Sequence, residues 1–184
     1  MTKWKKPSTP PADAEAHQDG CTCHTLAQRS SLRLTASEEL LLDVIRFQCV
    51  AIATHDRQAL VAAHQLAAAR LGQAAAPRLI ISVGALMQAM RKERAGPFGF
   101  LPPCCLVVSP DETDLIALLR ACRSRDPHLM EASSAELAQG TASNRLISAA
   151  EAITAAVAAS PRSQRDLMLE AFADLTAGEG SPSH

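Results

Sequence analysis

Residues 35–46 read Thr-Ala-Ser-Glu-Glu-Leu-Leu-Leu-Asp-Val-Ile-Arg, and this stretch decides the fold class. Thr35 and Glu38 have the spacing of a capping box, in which the threonine hydroxyl accepts a hydrogen bond from the third helical amide and the glutamate reaches back to the cap. Apolar residues at helical spacing follow; they are Leu41, Val44, Ile45, Cys49 and Ile52. The stretch therefore predicts an amphipathic helix that begins at Thr35.

A second stretch, residues 109–120, aligns with residues 35–46 without gaps and reads Ser-Pro-Asp-Glu-Thr-Asp-Leu-Ile-Ala-Leu-Leu-Arg. It contains another capping box, with Pro110 at the first helical position. Each of the two stretches follows a cysteine pair. Two interpretations stay open: either all capped amphipathic helices look alike, or the chain is a pseudo-twofold bundle that brings both cysteine pairs to one end.

Cap and breaker residues outline the remaining helices. Gly72 ends a second helix and Pro77 suits the first turn of a third. Beyond the two capped stretches, the predicted helices cover about residues 57–71, 77–94, 128–138, 144–159 and 163–175. We expect an all-α, single-domain bundle of six or seven helices over residues 35–176, preceded by a flexible arm at 1–34 and followed by a disordered tail at 177–184.

Composition excludes several classes of protein. The 184 residues are 47% hydrophobic, which is too apolar for a disordered chain. The net charge of −1 and the 3% aromatic content argue against nucleic-acid binding, which relies on basic and stacking side chains. Because no long uncharged apolar run and no secretory leader is visible, we expect no membrane contact, a cytoplasmic location and reduced cysteines.

The two cysteine pairs are the feature of the sequence that indicates a particular chemistry. Cys21, Cys23, Cys104 and Cys105 fall in predicted loops, where core packing explains them poorly, and His24 adds a nitrogen ligand. Four soft thiolates are enough to hold zinc or an Fe–S cluster. Their spacing differs from the usual Cys-x₂₋₄-Cys of zinc sites, so redox chemistry and unliganded cysteines stay as alternatives.

Other cysteine and histidine residues have simpler interpretations. Cys49 and Cys122 lie on the apolar stripes of their helices and are expected in the core. His64 is a further candidate ligand, although a lone histidine on such a face is more often hydrogen-bonded and half-buried. His128, just after Pro127, is expected at the surface.

The segment Leu101-Pro102-Pro103-Cys104-Cys105 is followed closely by the capped helix that begins at Ser109. In these features residues 38–160 resemble a family of small uncharacterised proteobacterial helical proteins with a Pro-Cys-Cys(-Cys) loop. The resemblance implies a helical fold and draws attention to Cys104 and Cys105, but it implies no activity. The present chain has Leu106 where a third cysteine would stand.

The sequence thus predicts a helical protein that binds zinc or an Fe–S cluster through Cys21, Cys23, His24, Cys104 and Cys105 and acts as a sensor, regulator or metal-handling factor. The alternative is a cofactor-free adaptor that binds a protein partner or forms a homodimer, since the stripe from Leu79 to Met90 and the Ala-rich helix offer apolar faces. An enzyme is not expected, because the sequence contains no recognisable catalytic motif.

Overall fold

The computed structural model describes residues 26–160, and most of these residues are helical. Its α-helices are α1 (Ala36–Thr54), α2 (Arg57–Leu71), α3 (Ala76–Glu93), α4 (Pro110–Ser124), α5 (Pro127–Ala138) and α6 (Asn144–Ala158). A 3-10 turn (Arg29–Leu32) and two short strands, β1 (Ala27–Gln28) and β2 (Val107–Val108), complete the described part. The predicted all-α bundle is confirmed. The predicted helix at 163–175 lies outside the described residues.

Both predicted capping boxes are formed. The Thr35 hydroxyl accepts from the Glu38 amide at 3.3 Å, and the Glu38 carboxylate accepts from the Thr35 amide at 3.0 Å. The Ser109 hydroxyl and Glu112 make the same exchange at 3.1 and 2.9 Å. Caps of this kind contribute about 1 kcal/mol each, so α1 and α4 begin where their sequences specify.

The two capped helices also end alike. His55 and Arg125 each adopt a left-handed conformation after the last helical residue, with φ of 57° and 56°. Each is followed by an aspartate, Asp56 or Asp126, whose carboxylate caps the next helix. The chain therefore turns back by the same device after α1 and after α4.

Apolar faces from both halves of the chain form one core. α3 packs against α6, and α1 and α4 pack against α2 and α5 respectively. The predicted stripe from Leu79 to Met90 is buried in this core together with the apolar face of α6. In the sequence these apolar faces indicated contact with a protein partner. In the structure they pack against each other in the core of the chain. Cys49 and Cys122 are buried there as well, as predicted.

Two of the ion pairs between α1 and α4 are reciprocal. Arg46 of α1 donates through Nε and Nη2 to the two carboxylate oxygens of Glu112 in α4, at 2.7 and 2.8 Å. Arg120 of α4 donates through the same two nitrogens to Glu38 of α1, at 3.0 and 2.9 Å. In the aligned stretches Arg46 corresponds to Arg120 and Glu38 to Glu112, so this is the pairing that a pseudo-twofold arrangement produces.

Among the described residues, no helix combines the length and the apolar character needed to cross a bilayer.

The two arginines differ in burial, and this gives a stability prediction. The side chains of Arg46 and Glu112 are both 0% exposed, whereas Arg120 is 41% exposed and Glu38 keeps a second partner in Arg123. Arg46→Met leaves a buried carboxylate unpaired and is expected to lower the free energy of unfolding by about 3–5 kcal/mol. Arg120→Met, the matched control, should cost about 1 kcal/mol or less. Urea denaturation measures both, and equal losses would contradict the difference in burial.

Glu38 makes stability depend on pH. Burial by itself raises its pKa, but the hydrogen bond and charge of Arg120, the Thr35 amide and the charge of Arg123 together hold the pKa of Glu38 below its ordinary value of 4.5. A carboxylate with a depressed folded-state pKa stabilises the protein above its unfolded value and loses that contribution as the pH falls through the folded value. The free energy of unfolding of Glu38→Gln, measured from about pH 6 to about pH 3, should therefore fall less steeply than that of the wild type.

Candidate functional site

The segment that carries the second cysteine pair, residues 101–107, is called here the cysteine loop. It lies between α3 and α4, and its last residue, Val107, is the first residue of the short strand β2. Beneath it lies the guanidinium of Arg46, which donates to the carbonyl oxygens of Cys105 at 2.8 Å, Val107 at 2.6 Å and Pro102 at 3.4 Å. Three carbonyls of one short loop thus converge on a single buried side chain.

The carboxylate of Glu112 contacts the first residue of the same loop and the cap residue of α4. Besides pairing with Arg46, it accepts from the backbone N–H of Leu101 at 3.2 Å and from that of Ser109 at 2.9 Å. The charge of each partner is neutralised by the other, and the remaining donors and acceptors find backbone groups. This is the condition under which a buried ion pair is tolerated in a protein interior.

The chain that leads into the cysteine loop is held by the start of α4. Arg94, which is buried, donates to Asp111 at 2.6 Å and to the carbonyl of Leu137 at 2.5 Å. The other oxygen of Asp111 accepts from the Gly99 amide at 2.5 Å, and the Ser109 hydroxyl donates to the Gly99 carbonyl at 2.7 Å. The loop is consequently fixed from upstream as well as from below.

The two thiols of the loop differ in environment. Cys104 is exposed and Cys105 is half-buried, and a turn bond joins the Cys105 amide to the Pro102 carbonyl at 3.0 Å. Burial raises the pKa of the Cys105 thiol, and so do its neighbour Cys104 and Glu112, while Arg46 opposes the rise. The raised pKa disfavours the thiolate form of Cys105.

A short strand pairing brings the N-terminal part of the chain to the cysteine loop. Ala27 lies opposite Val108 and Gln28 opposite Val107 in an antiparallel ladder, and the Arg29 amide donates to the Leu106 carbonyl at 2.9 Å. Residues 27–32, which precede the predicted start of the bundle at residue 35, thus form a strand and a 3-10 turn. The predicted ligands Cys21, Cys23 and His24 lie outside the described residues.

The structure does not bring His64 into a ligand cluster. His64 lies half-buried on α2. Within residues 26–160, three or more His, Cys, Asp or Glu side chains are nowhere grouped so that they could hold a metal ion. Cys104 and Cys105 lie side by side in one segment, and no such group of three or more includes them within residues 26–160. His128 is exposed at the start of α5, as predicted.

Sequence reasoning missed the ion pair under the loop. The capping-box spacing accounts for the backbone contacts of Glu38 and Glu112 but not for their arginine partners. The available signal was the position of Arg46, which follows Leu42 and precedes Cys49 at helical spacing on the apolar stripe. A charged residue at such a position needs a buried partner.

Comparisons with known proteins supply no further identification: no protein-family model, curated protein or solved structure matches this chain.

The environments of the cysteines predict an order of reaction with iodoacetamide. The thiolate is the reactive form, so we expect Cys104 to be modified first and Cys105 later. Burial raises the pKa of Cys49 well above its ordinary value and that of Cys122 to about 11, so both should react only after unfolding. Pulse labelling followed by peptide mass spectrometry measures the order, with the urea-unfolded chain as the control. A native protein in which Cys105 reacts as fast as Cys104 at neutral pH would contradict this assignment.

Proposed function

We propose that this protein binds a thiolate-ligated metal centre, zinc or an Fe–S cluster, through Cys104 and Cys105 together with Cys21 and Cys23. His24 is an additional ligand for the same centre. In this proposal the protein serves as a sensor, regulator or metal-handling factor. The observation that carries the proposal is the pairing of β1 with β2, because it attaches the segment that follows Cys23 to the segment that follows Cys105.

Covalent geometry limits how far apart the two cysteine pairs can be. Cys23 precedes Ala27 by four residues, and Ala27 is paired with Val108, three residues after Cys105. An extended chain spans at most about 3.6 Å per residue, so the four-residue step from Cys23 to Ala27 can span at most about 14 Å. The first cysteine pair is therefore within reach of the cysteine loop.

The chemistry of the loop supports a soft metal. Cys104 and Cys105 are adjacent thiols on a fixed backbone, and sulfur ligands favour zinc, copper(I) and Fe–S clusters over magnesium or calcium. Metal binding displaces the thiol protons, so the raised pKa of Cys105 is a cost that the metal–sulfur bonds offset. Four thiolates complete a tetrahedral or cluster site, which explains why two pairs are needed.

Purification without a tag and without oxygen tests the proposal. Wild-type protein should carry about one metal ion, or one cluster, per chain. Acid-labile sulfide and a visible spectrum indicate a cluster, and their absence with bound metal indicates zinc. Colourless protein with less than about a tenth of a metal ion per chain would overturn the proposal.

Paired variants locate the centre. Cys104→Ser/Cys105→Ser and Cys21→Ser/Cys23→Ser should each lower the metal content at least about tenfold, because two thiolates cannot close the site. Cys49→Ala/Cys122→Ala keeps all four proposed ligands and serves as the matched control. Full metal content in the Cys21→Ser/Cys23→Ser variant would contradict a centre shared by the two pairs.

A cofactor-free interaction module is the second candidate. The observation in its favour is Leu106, whose side chain is 74% exposed although the backbone on both sides of it is hydrogen-bonded. A rigidly held, exposed leucine is suited to contact with a protein partner or a second copy of the chain. Sedimentation of wild-type and Leu106→Ala proteins tests self-association: a dimer that Leu106→Ala dissociates favours this candidate, and a wild-type monomer excludes the homodimer.

A further inference from the structure

We infer that Arg46 is the positioning residue of the metal site: its buried guanidinium fixes the backbone of the cysteine loop so that Cys104 and Cys105 are presented together as ligands. This inference rests on the proposed function and extends it to a residue that touches no metal itself.

The contacts of Arg46 bracket the cysteine pair. It binds the carbonyl of Pro102 before the pair, that of Cys105 within it and that of Val107 after it. A loop of this length with free carbonyls samples many backbone conformations, and ordering each residue for a ligand costs conformational entropy. Fixing three carbonyls to one point removes that freedom before a ligand arrives, which is how residues behind a metal site raise affinity.

Lysine cannot reproduce this arrangement. The guanidinium of Arg46 offers five N–H donors in a planar fork, and its nitrogens bind both oxygens of Glu112 as well as the loop carbonyls. A lysine ammonium keeps the positive charge but donates from one nitrogen at the end of a flexible stem. Arg46→Lys therefore removes the geometry of the contact while it retains the charge.

Arg120 provides a matched control within the same molecule. It occupies the corresponding position of the second aligned stretch and pairs with Glu38 through the same two nitrogens. Its backbone contact is the carbonyl of Leu32 rather than a carbonyl of the cysteine loop. Arg120→Lys is thus the same chemical change in the same kind of ion pair.

The experiment is a Co²⁺ titration of the reduced full-length protein in competition with a chromophoric chelator. Arg46→Lys should weaken Co²⁺ binding about 10–100-fold and reduce the sulfur-to-cobalt charge-transfer band, whereas Arg120→Lys should stay within about twofold of the wild type. Thermal unfolding confirms that both variants are folded at the titration temperature. Wild-type affinity and spectrum in a folded Arg46→Lys protein would overturn the inference and leave the proposed function intact.

Hydrogen exchange of the metal-free protein tests whether Arg46 fixes the cysteine loop. Its result does not depend on whether the proposed metal site exists. The hydrogen-bonded amides of Leu101 and Cys105 should exchange at least about tenfold faster in Arg46→Lys than in Arg120→Lys, as expected when loop hydrogen bonds open locally. Wild-type protein that binds no Co²⁺, together with this difference in exchange, would refute the proposed function but not the fixing of the loop. Equal exchange in the two variants would overturn the positioning role of Arg46.

A second pair of variants covers the case in which Arg46→Lys fails to fold. Glu112→Gln keeps a side chain of the same shape beside Arg46 and the Leu101 amide, but it loses the charge that orients the guanidinium. We expect Glu112→Gln to weaken Co²⁺ binding by at least about fivefold, with Glu38→Gln as its matched control within about twofold. Equal affinities in these two variants would overturn the inference.

Discussion

The structure depends on the ion pair between Arg46 and Glu112, which are 66 residues apart in sequence and wholly buried. Neither charge is tolerable in the interior without the other, so α1 and α4 have to meet in one register. The same pair supplies donors and acceptors to a Pro-containing segment that forms no helix. A loop with unsatisfied carbonyls would otherwise need water at each of them. One interaction therefore sets both the docking of the two halves and the conformation of the cysteine loop.

The second ion pair, between Glu38 and Arg120, has the same geometry as the first but a different environment. Glu38 is shared by Arg120 and Arg123, both of which reach solvent, so this pair lies at the edge of the helix contact. Arg46 and Glu112 are enclosed because the cysteine loop covers them. The two ion pairs thus consist of corresponding residues, but only the pair of Arg46 and Glu112 is covered by the cysteine loop. The thiols of Cys104 and Cys105 belong to the loop that covers the buried pair.

Local signals predicted the helices well, and they failed where structure depends on distant residues. Thr35, Gly72 and Pro77 act within one turn of chain, and the helices they delimit lie at or within a residue or two of the predicted positions. β1 and β2 each contain two residues, which is too short for a periodic pattern, so the sequence does not predict these strands. The loop position of Cys104 and Cys105 could be predicted from neighbouring prolines. The position of Arg46 on the apolar stripe indicates a buried partner, but no local pattern identifies Glu112, 66 residues away, or the loop carbonyls as that partner.

The distance in sequence between Arg46 and its acceptors also sets an order of events during folding. Helices α1 and α2 can form while the chain is still being synthesised, but the cysteine loop has no fixed carbonyls until α4 has docked on α1. The adjacent thiols are consequently held in their final geometry only in a chain whose two halves are already assembled. Any molecule that recognises that geometry distinguishes the finished fold from a nascent or partly unfolded chain.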